Sequence, residues 1–470
     1  MQNRTMPRNG FSRHLVGAVM AACGALTGVA MAGDRGSPCL PPHAVPDQVV
    51  LELADNGSID AIMAIVEPLF PGVSVIFSVP GEDMYLLGAP DPICEKTLVQ
   101  TLMALPGVEE AEFNESGENV EGQTQSFFFA SSQTDFQSQY LWPTIKLIDA
   151  QTESLGEGIR IAIIDSGLDA NHPVFANSVV LPGVDFVNDG AGFSDLGNGL
   201  DDDGDGSIDE LAGHGTYVAG LIATIAPAAE ILPLRAIDSD GHGTAFAVAQ
   251  ALLEAQAQGV DIINLSFGAS EDIGVIEPIL DALTGNGVLV VVSAGNGGTE
   301  TAGSFPAKLA PLCAVAATDV FDIKASFSNS GPFVSVCAPG VGIVSAFPGG
   351  GYVAADGTSA SAAIVTGTAA LIMSKDACDG DTAHLTVEAT AAPIAKKNPD
   401  PNVTLGSGRV DAAAAVDAVP IPGDYDHDRH VDGDDLAFLI GAWGTDLGDL
   451  SGDGMTDALD LSILIGGWTG

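Results

Sequence analysis

Three short segments of this chain carry residue types that together can cleave an acyl bond. They centre on Asp165 in an Ile-Ile-Asp-Ser-Gly segment, His214 in Gly-His-Gly-Thr, and Ser359 in Gly-Thr-Ser-Ala-Ser. A hydroxyl nucleophile, an imidazole base and a carboxylate that orients the base are the parts of a serine hydrolase. Because unrelated folds place these parts in different chain orders, the order Asp, His, Ser also narrows the choice of fold.

The elements around these residues indicate how they are positioned. Residues 159–164 form an apolar run typical of a strand buried on both faces of a parallel sheet, and Asp165 ends it at the carboxyl edge, where such sheets place their sites. His214 opens a predicted helix to residue 226, and Ser359 opens another to residue 374, where the first N–H groups can stabilise negative charge. The pattern predicts an α/β fold with a doubly wound, mostly parallel sheet.

A fourth segment completes the constellation. A predicted strand over residues 288–292 is followed by Ser-Ala-Gly-Asn-Gly, which contains Asn296. The four segments resemble those of the subtilisin-like serine peptidases, and the resemblance covers roughly residues 136–418. It implies that the Asn296 amide and the backbone N–H of Ser359 hold the oxyanion. Loss of one such donor lowers turnover about 100- to 1,000-fold, a value that comes from this same family.

Two positions depart from the family pattern. Ala363 stands where the family usually has a proline, and Tyr217 where it often has a histidine. Neither position takes part in the expected chemistry, and the four residues of the constellation are all present. We therefore predict a serine endopeptidase. The alternative is a catalytically silent cell-surface adhesion or binding module that keeps the fold. The Phe305–Pro306 bond resembles a family turn that is cis, with an ordinary trans turn as the alternative.

The Gly-His-Gly-Thr motif occurs twice, and the second copy spans residues 241–244. Its histidine, His242, follows the polar stretch Asp-Ser-Asp after a predicted strand over residues 231–237. This context predicts a loop residue with no catalytic role.

The substrate cleft is predicted from two segments that follow strands. The segment after the predicted strand 261–265 resembles the edge that pairs with the substrate backbone, and the residues before Asn296 complete the pocket wall. No acidic residue occurs in either segment, so we expect a preference for apolar side chains. The predicted substrate-binding residues are Ser266, Phe267, Gly268, Ala294 and Gly295.

The N-terminus has the pattern of a secretory signal. Arg4, Arg8 and Arg13 precede an apolar stretch over residues 15–32 that ends Ala-Met-Ala. A membrane anchor and a lipidated Cys23 are the alternatives. We expect residues 1–32 to be removed, and the mature protein to be extracellular without a membrane span, either free or attached to the cell surface.

Residues 33–115 carry patterns in the order β-α-β-β-α-β, which predicts a ferredoxin-like α+β domain. Before a peptidase of this type, the domain resembles the family's propeptide, which acts as chaperone and inhibitor; an unrelated small binding domain is the alternative. Residues 116–135 are rich in Ser, Gln and Gly, which predicts an exposed linker. We expect the propeptide to be cut there, ahead of a peptidase domain over residues 136–418.

Residues 420–470 contain an internal repeat with a spacing of 25 residues. Oxygen ligands at positions 1, 3, 5, 9 and 12 of each loop fit calcium, and each loop precedes a predicted helix. The segment resembles a dockerin, a small all-α EF-hand-like module. Arg429 replaces the usual turn glycine of the first loop. The pairs Gly433-Asp434 and Ala458-Leu459 differ from the Ser-Thr pairs with which many dockerins contact a cohesin, so calcium is the firmer prediction and a cohesin-like partner the weaker one. The predicted ligands are Asp424, Asp426, Asp428, Asp432, Asp435, Asp449, Ser451, Asp453, Asp457 and Asp460.

A third acidic loop lies between the catalytic aspartate and histidine. This loop repeats the ligand spacing of the two C-terminal loops with Asp201, Asp203, Asp205 and Asp209. Position 12 is an alanine, and Glu210 could supply the missing carboxylate. Calcium is the prediction, and a solvated acidic loop is the alternative.

The chain of 470 residues has 15 Lys and Arg against 62 Asp and Glu, a net charge of −47. This balance excludes nucleic acid as a partner, because phosphate contacts need basic residues, and leaves proteins or peptides as substrates. Cys39 and Cys94 can pair within the propeptide. Cys313 and Cys337 either pair or pack as small buried residues, and Cys378 is left over.

Overall fold

The computed structural model describes residues 39–41, 44–54, 56–79, 82–118, 129–187, 192–201, 206–269, 272–299, 304–400, 403–418, 423, 425, 431–445, 447–448, 450–451 and 455–468. The predicted signal over residues 1–32 lies outside this part of the chain. No helix within the described residues is both long enough and apolar enough to cross a membrane.

The N-terminal unit is a four-stranded antiparallel sheet covered by two helices. Ser58 caps the first helix by accepting a hydrogen bond from the backbone N–H of Ala61, as expected for a serine before an apolar helix. The strands lie in the order β4-β1-β3-β2, and the order of elements along the chain is the predicted one. The elements are β1 (Ala44–Leu53), α1 (Ile59–Leu69), β2 (Ser74–Ser78), β3 (Met84–Gly88), α2 (Glu95–Leu102) and β4 (Val108–Glu118).

The five cysteines among the described residues form one bridge and three free thiols. Cys39 and Cys94 form a disulfide within the N-terminal unit, as the sequence allowed. Cys313 and Cys337 are free and buried, so the packing alternative is the observed one, and Cys378 is also free.

Both ends of the predicted linker contain secondary structure. β4 runs to Glu118, and the chain re-enters a strand, β5 (Phe129–Ser131), before the helix α3 (Gln133–Ser138). The prediction of an exposed linker over the whole of residues 116–135 is therefore wrong at its ends, because backbone pairing with distant strands orders segments that lack any apolar period.

The central unit is built on an eight-stranded sheet in which all recorded pairings are parallel. The strand order is β14-β13-β12-β11-β6-β9-β7, with β8 also paired to β9. This is the α/β sheet that the buried apolar runs predict. The strands are β6 (Arg160–Asp165), β7 (Val179–Val180), β8 (Val184–Asp185), β9 (Glu230–Arg235), β11 (Ile262–Leu265), β12 (Leu289–Ser293), β13 (Cys313–Thr318) and β14 (Val336–Pro339).

Helices cover both faces of this sheet. Along β6, Ile161 and Ile163 pack towards α6 and α9, whereas Ala162 and Ile164 pack towards α7 and α8. Alternate side chains thus enter opposite cores, as the two-residue period of a strand requires. The remaining helices are α4 (Leu141–Thr144), α5 (Leu147–Gln151), α6 (His214–Ile225), α7 (Ala245–Ala257), α8 (Glu277–Gly285), α9 (Thr358–Asp376), α10 (Gly380–Ala389) and α11 (Ala412–Val416).

A small antiparallel sheet leads into the helix that begins near Ser359. It pairs β15 (Ile343–Phe347) with β16 (Gly351–Ala355), and β16 with β5. The Phe305–Pro306 bond is cis, as the family resemblance implied.

The short strand β10 (His242–Thr244) joins the central unit to the N-terminal unit. It pairs antiparallel with the end of β4, with Gly243 opposite Gly117, so the N-terminal sheet gains a fifth strand. The prediction that His242 lies in a loop is wrong, because its strand partner is more than a hundred residues away and leaves no local pattern.

The C-terminal unit contains two short helices, α12 (Gly433–Gly441) and α13 (Ala458–Gly466), which pack through Val431, Leu439 and Leu464. An aspartate caps the start of each helix, and a second aspartate three residues later bonds back to the cap.

Candidate active site

Asp165, His214 and Ser359 each stand at the end of a regular element. Asp165 is the last residue of β6, His214 is the first residue of α6, and Ser359 is the second residue of α9. All three are between 2 and 3% exposed. Because α6 and α9 pack in the same core on one face of the sheet, their starts meet the carboxyl edge of β6.

The carboxylate of Asp165 contacts the imidazole of His214 directly. Oδ1 of Asp165 lies 2.7 Å from Nδ1 of His214 and also accepts the backbone N–H of Ser166 at 2.7 Å. A carboxylate on Nδ1 favours the tautomer with a proton there, which leaves Nε2 as the basic nitrogen. The pair can therefore act as an oriented general base.

Asp195 holds the start of α6 in place, and sequence reasoning missed it. Its carboxylate accepts the backbone N–H groups of Gly213 at 2.8 Å and Thr216 at 2.7 Å, and the Ser166 hydroxyl at 2.9 Å. Burial raises the pKa of Asp195 and the charge of Asp165 adds to the effect, although the hydrogen bonds from Thr216 and Gly213 act in the opposite direction. No motif marks this aspartate, since it precedes the helix it caps by many residues.

Arg235 is a second buried residue that sequence reasoning missed. It ends β9 beside Asp165, is 1% exposed, and donates to the Ser166 carbonyl at 3.0 Å. Its guanidinium also lies 3.3 Å from the carboxylate of Asp185. The guanidinium of Arg235 therefore fixes the segment that follows β6 through a hydrogen bond to its backbone.

Ser359 lies where its helix begins, beside Asn296. The hydroxyl of Ser359 donates to the Ser266 carbonyl at 3.1 Å. The amide oxygen of Asn296 accepts the backbone N–H and the hydroxyl of Thr358, both at 3.0 Å. These bonds orient the carboxamide with Nδ2 as its donor side, and the N-terminus of α9 adds a favourable potential for an anion.

The predicted substrate-binding residues divide between two places. Phe267 and Gly268 line an apolar pocket together with residues of β10 and α7, including Val248. Ser266, Ala294 and Gly295 do not line that pocket; Ser266 and Ala294 are buried and follow the adjacent strands β11 and β12. β10 is the edge that sequence reasoning missed, and the repeated Gly-His-Gly-Thr was its only local signal.

The predicted calcium ligands are described in part. Asp203, Asp205, Asp424, Asp426, Asp428, Asp449 and Asp453 lie outside the described residues. Within the described residues, no three His, Cys, Asp or Glu side chains come together as a preformed metal site. Asp432 and Asp457 cap their helices, Asp201 accepts the N–H of Gly206, and Ser451 donates its N–H to Asp460.

The position-12 carboxylates turn inward in both C-terminal loops. Asp435 and Asp460 are fully buried. Asp435 accepts the N–H groups of Tyr425 and Asp432, and Asp460 those of Leu450, Ser451 and Asp457. The hydrogen bonds, that from Asp457 first, hold the pKa of Asp460 below its ordinary value. A buried carboxylate that stays ionised fits a hard cation.

The loop ahead of α6 has a similar inward carboxylate. Asp209 accepts the N–H groups of Asn198 at 2.7 Å and Gly199 at 2.8 Å, and its own N–H bonds Asp240. Its φ of 54° is in the left-handed region. The hydrogen bonds organise the loop around the Asp209 side chain.

Comparison with known proteins identifies relatives of the central unit. Residues 156–408 match the model of the subtilase family. Subtilisin BL of Lederbergia lenta is 33% identical over 276 residues, which cover 56% of this chain and 91% of that protein. Thermitase of Thermoactinomyces vulgaris is 35% identical over 271 residues, 56% of this chain and 89% of that protein.

Among solved structures, fervidolysin from Fervidobacterium pennivorans, described as a keratinolytic enzyme related to subtilisin, superposes with a TM-score of 0.65 at 22% identity. The match covers 81% of this chain and 62% of fervidolysin, less than two thirds of its length. It shows a shared fold. The family match includes Asp165, His214, Asn296 and Ser359, and leaves out the N-terminal and C-terminal units.

Proposed function

We propose that this chain, which belongs to the subtilase family and is a subtilisin-like serine endopeptidase, uses Ser359 as nucleophile, His214 as general base and Asp165 as the group that orients His214. The 2.7 Å contact between Asp165 and His214, at the edge where Ser359 opens α9, is the observation that carries this proposal. Its substrates are proteins or peptides.

The chemistry follows from these roles. Nε2 of His214 takes the proton of the Ser359 hydroxyl while Oγ attacks the peptide carbonyl carbon. The resulting oxyanion accepts hydrogen bonds from Nδ2 of Asn296 and the N–H of Ser359. The C–N bond then breaks as His214 returns the proton to the leaving amine. Water attacks the ester by the same route and releases the acid and Ser359.

Covalent labelling tests this reading against the alternative of a silent binding module. A fluorophosphonate probe should modify the wild-type protein and fail to modify Ser359→Ala. Ser374→Ala is the matched control, because Ser374 lies at the other end of the same helix, where its hydroxyl donates to the Glu157 carbonyl. Equal labelling of wild type and Ser359→Ala, or no labelling of either, would exclude the proposed nucleophile.

The N-terminal unit is proposed to be an inhibitory propeptide. Its strand β4 pairs with β10, which forms one edge of the apolar pocket. An extended substrate would pair with the edge of a strand in the same way. Glu112 accepts the N–H groups of Gly274 and Val275 ahead of α8, and Asn114 accepts that of Phe246 in α7. The unit thus binds the peptidase beside its cleft.

Self-processing follows from that placement. We expect cleavage between β4 and β5, within residues 119–128, which lie outside the described residues. Purified Ser359→Ala should accumulate as the unprocessed precursor, whereas Ser374→Ala should mature normally. Maturation of Ser359→Ala at the wild-type rate would show that another protease does the cutting.

Secretion and calcium binding complete the proposal. The pattern of residues 1–32 supports export, after which the protein is extracellular, free or attached to the cell surface. Calcium would be held by Asp201, Asp203, Asp205 and Asp209 in the central unit and by the two C-terminal loops, and would stabilise folded loops rather than take part in cleavage. A cohesin-like or cell-surface partner is proposed for the C-terminal unit on its resemblance to dockerins.

A further inference from the structure

The side chain of Asn329 forms hydrogen bonds with both ends of the loop that carries Asn296. The side chain of Asn329 donates from Nδ2 to the Ala294 carbonyl at 2.9 Å. Its Oδ1 accepts the backbone N–H of Thr299 at 3.0 Å and the Thr299 hydroxyl at 2.9 Å. Asn296 lies between these two attachment points, at residues 294 and 299, and Asn329 itself is 5% exposed.

The backbone around Asn329 reinforces the same loop. The N–H of Asn329 donates to the Gly295 carbonyl at 2.9 Å, and the N–H of Ser330 donates to the Thr299 carbonyl at 3.0 Å. Gly295 has a φ of +93°, and a Cβ added there would lie 2.6 Å from Nδ2 of Asn329. The loop is therefore pressed against the Asn329 carboxamide with no room between them.

Only a carboxamide meets both demands at this position. The Ala294 carbonyl needs a donor, and Thr299 needs an acceptor for two hydrogen bonds. Aspartate supplies only the acceptor, and leucine supplies neither, although both have nearly the same shape. The chemistry of Asn329 is thus matched to the loop rather than to the volume of the site.

We propose that Asn329 is a positioning residue for the oxyanion donor, acting through the backbone of residues 294–299. Thr358 holds the amide oxygen of Asn296 from the α9 side, and Asn329 holds the main chain on which Asn296 stands. Two supports from different elements keep Nδ2 of Asn296 aimed at the position of the oxyanion. Such a donor stabilises the transition state only if it is held there before the reaction.

The inference rests on the proposed function, and a double-mutant cycle with Asn296→Ala tests it. Asn329→Leu should lower kcat about tenfold with KM changed by less than about twofold, since a displaced donor weakens the transition state rather than substrate binding. In the Asn296→Ala background the same substitution should change kcat by less than about twofold, because the donor is already absent. A peptide boronate, which forms a tetrahedral adduct on Ser359, should lose affinity in parallel with kcat.

Each other outcome overturns a defined part of this inference. An equal loss of kcat in both backgrounds would mean that Asn329 only supports the fold. No loss in the wild-type background would mean that the hydrogen bonds of Asn329 do not contribute to catalysis. If Asn296→Ala itself leaves kcat unchanged, the proposed oxyanion donor is wrong as well. Should the Leu variant fail to fold, Asn329→Asp serves in the same cycle, since it keeps the bonds to Thr299 and loses only the donor to Ala294; an additive loss there would equally refute the proposal.

Discussion

At the scale of single residues, the site combines two buried carboxylates with the buried guanidinium of Arg235. Asp165 and Asp195 are both buried, and the second oxygen of Asp165 has no hydrogen-bond partner within the described residues. Burial of an ionised carboxylate is unfavourable unless charge or hydrogen bonds compensate it. Arg235 ends the strand beside Asp165, bonds the Ser166 carbonyl and pairs with the Asp185 carboxylate, so it fixes the backbone that follows Asp165.

The two histidines of the repeated motif should respond differently to removal. His214→Ala should abolish turnover except for a residual rate about 1,000- to 10,000-fold above that in water, because the base is lost while substrate binding and the oxyanion site remain. His242→Ala should change kcat by less than about threefold, since its side chain is 31% exposed and only approaches Asp238.

Steady-state kinetics of both variants, with circular dichroism as a check on folding, measures the difference. A large loss in His242→Ala together with a small one in His214→Ala would reverse the assignment of the base.

At the scale of elements, one short strand couples the N-terminal unit to the cleft. β4 and β10 form the backbone contact, and Glu112 and Asn114 on β4 bond the N–H groups ahead of α8 and at the start of α7. Burial raises the pKa of Glu112 to about 7 from its ordinary value of 4.5, and Glu110 and Glu115 add to the effect; the bonds from Val275 and Gly274 act in the opposite direction.

Docking of the N-terminal unit should therefore weaken as the pH rises. A carboxyl whose pKa is raised in the docked state stabilises that state fully below pH 4.5, and the contribution is lost as the pH rises through about 7. The melting temperature of the Ser359→Ala precursor should fall between about pH 5 and pH 8, and Glu112→Gln should flatten the fall.

The exposed Glu67→Gln is the control and should keep the wild-type slope. A steeper fall in Glu112→Gln, or an unchanged one, would contradict the role of Glu112.

The elements that the sequence predicts well have local causes. The run ending at Asp165, the Ser58 cap and the helix start at His214 depend on residues close in the chain. Arg235, Asp195 and Asn329 could not be predicted as parts of the site, because each acts through a partner brought near by the fold. β10 was missed for the same reason, since its strand partner is supplied by the N-terminal unit.

At the scale of the whole molecule, the net charge of −47 must be accommodated within a compact chain. Self-repulsion of this size weakens the folded state at low ionic strength. Many of the carboxylates belong to the three loops with calcium spacing, and bound divalent cations would offset part of the repulsion where it is greatest. We therefore expect the main effect of bound calcium to be on the stability of the folded chain rather than on cleavage itself.

The two C-terminal loops should bind calcium with different affinities. In the Ser359→Ala chain, which cannot digest itself, Asp460→Asn should remove the tighter site and Asp435→Asn the weaker one. The first loop has Arg429 at the sequence position where the second has Gly454, and we expect this to weaken the first site by about fivefold. Calorimetry measures both affinities. Asp434→Asn, which changes an exposed neighbour, should leave them unchanged, whereas a tighter first loop or no calcium heat would refute the assignment.

The sheet of the N-terminal unit has two apolar faces, and under the proposed activation this would make release of the unit irreversible. Val49 and Leu51 of β1 face its own helices, whereas Val50, with Met84 and Leu86, packs in the same core as α7. If the unit is cleaved and released as proposed, that second face would enter water as an apolar surface and would weaken the freed unit. The mature enzyme would then degrade the weakened unit, so each inhibitor released would be lost to its own peptidase and to the neighbouring molecules.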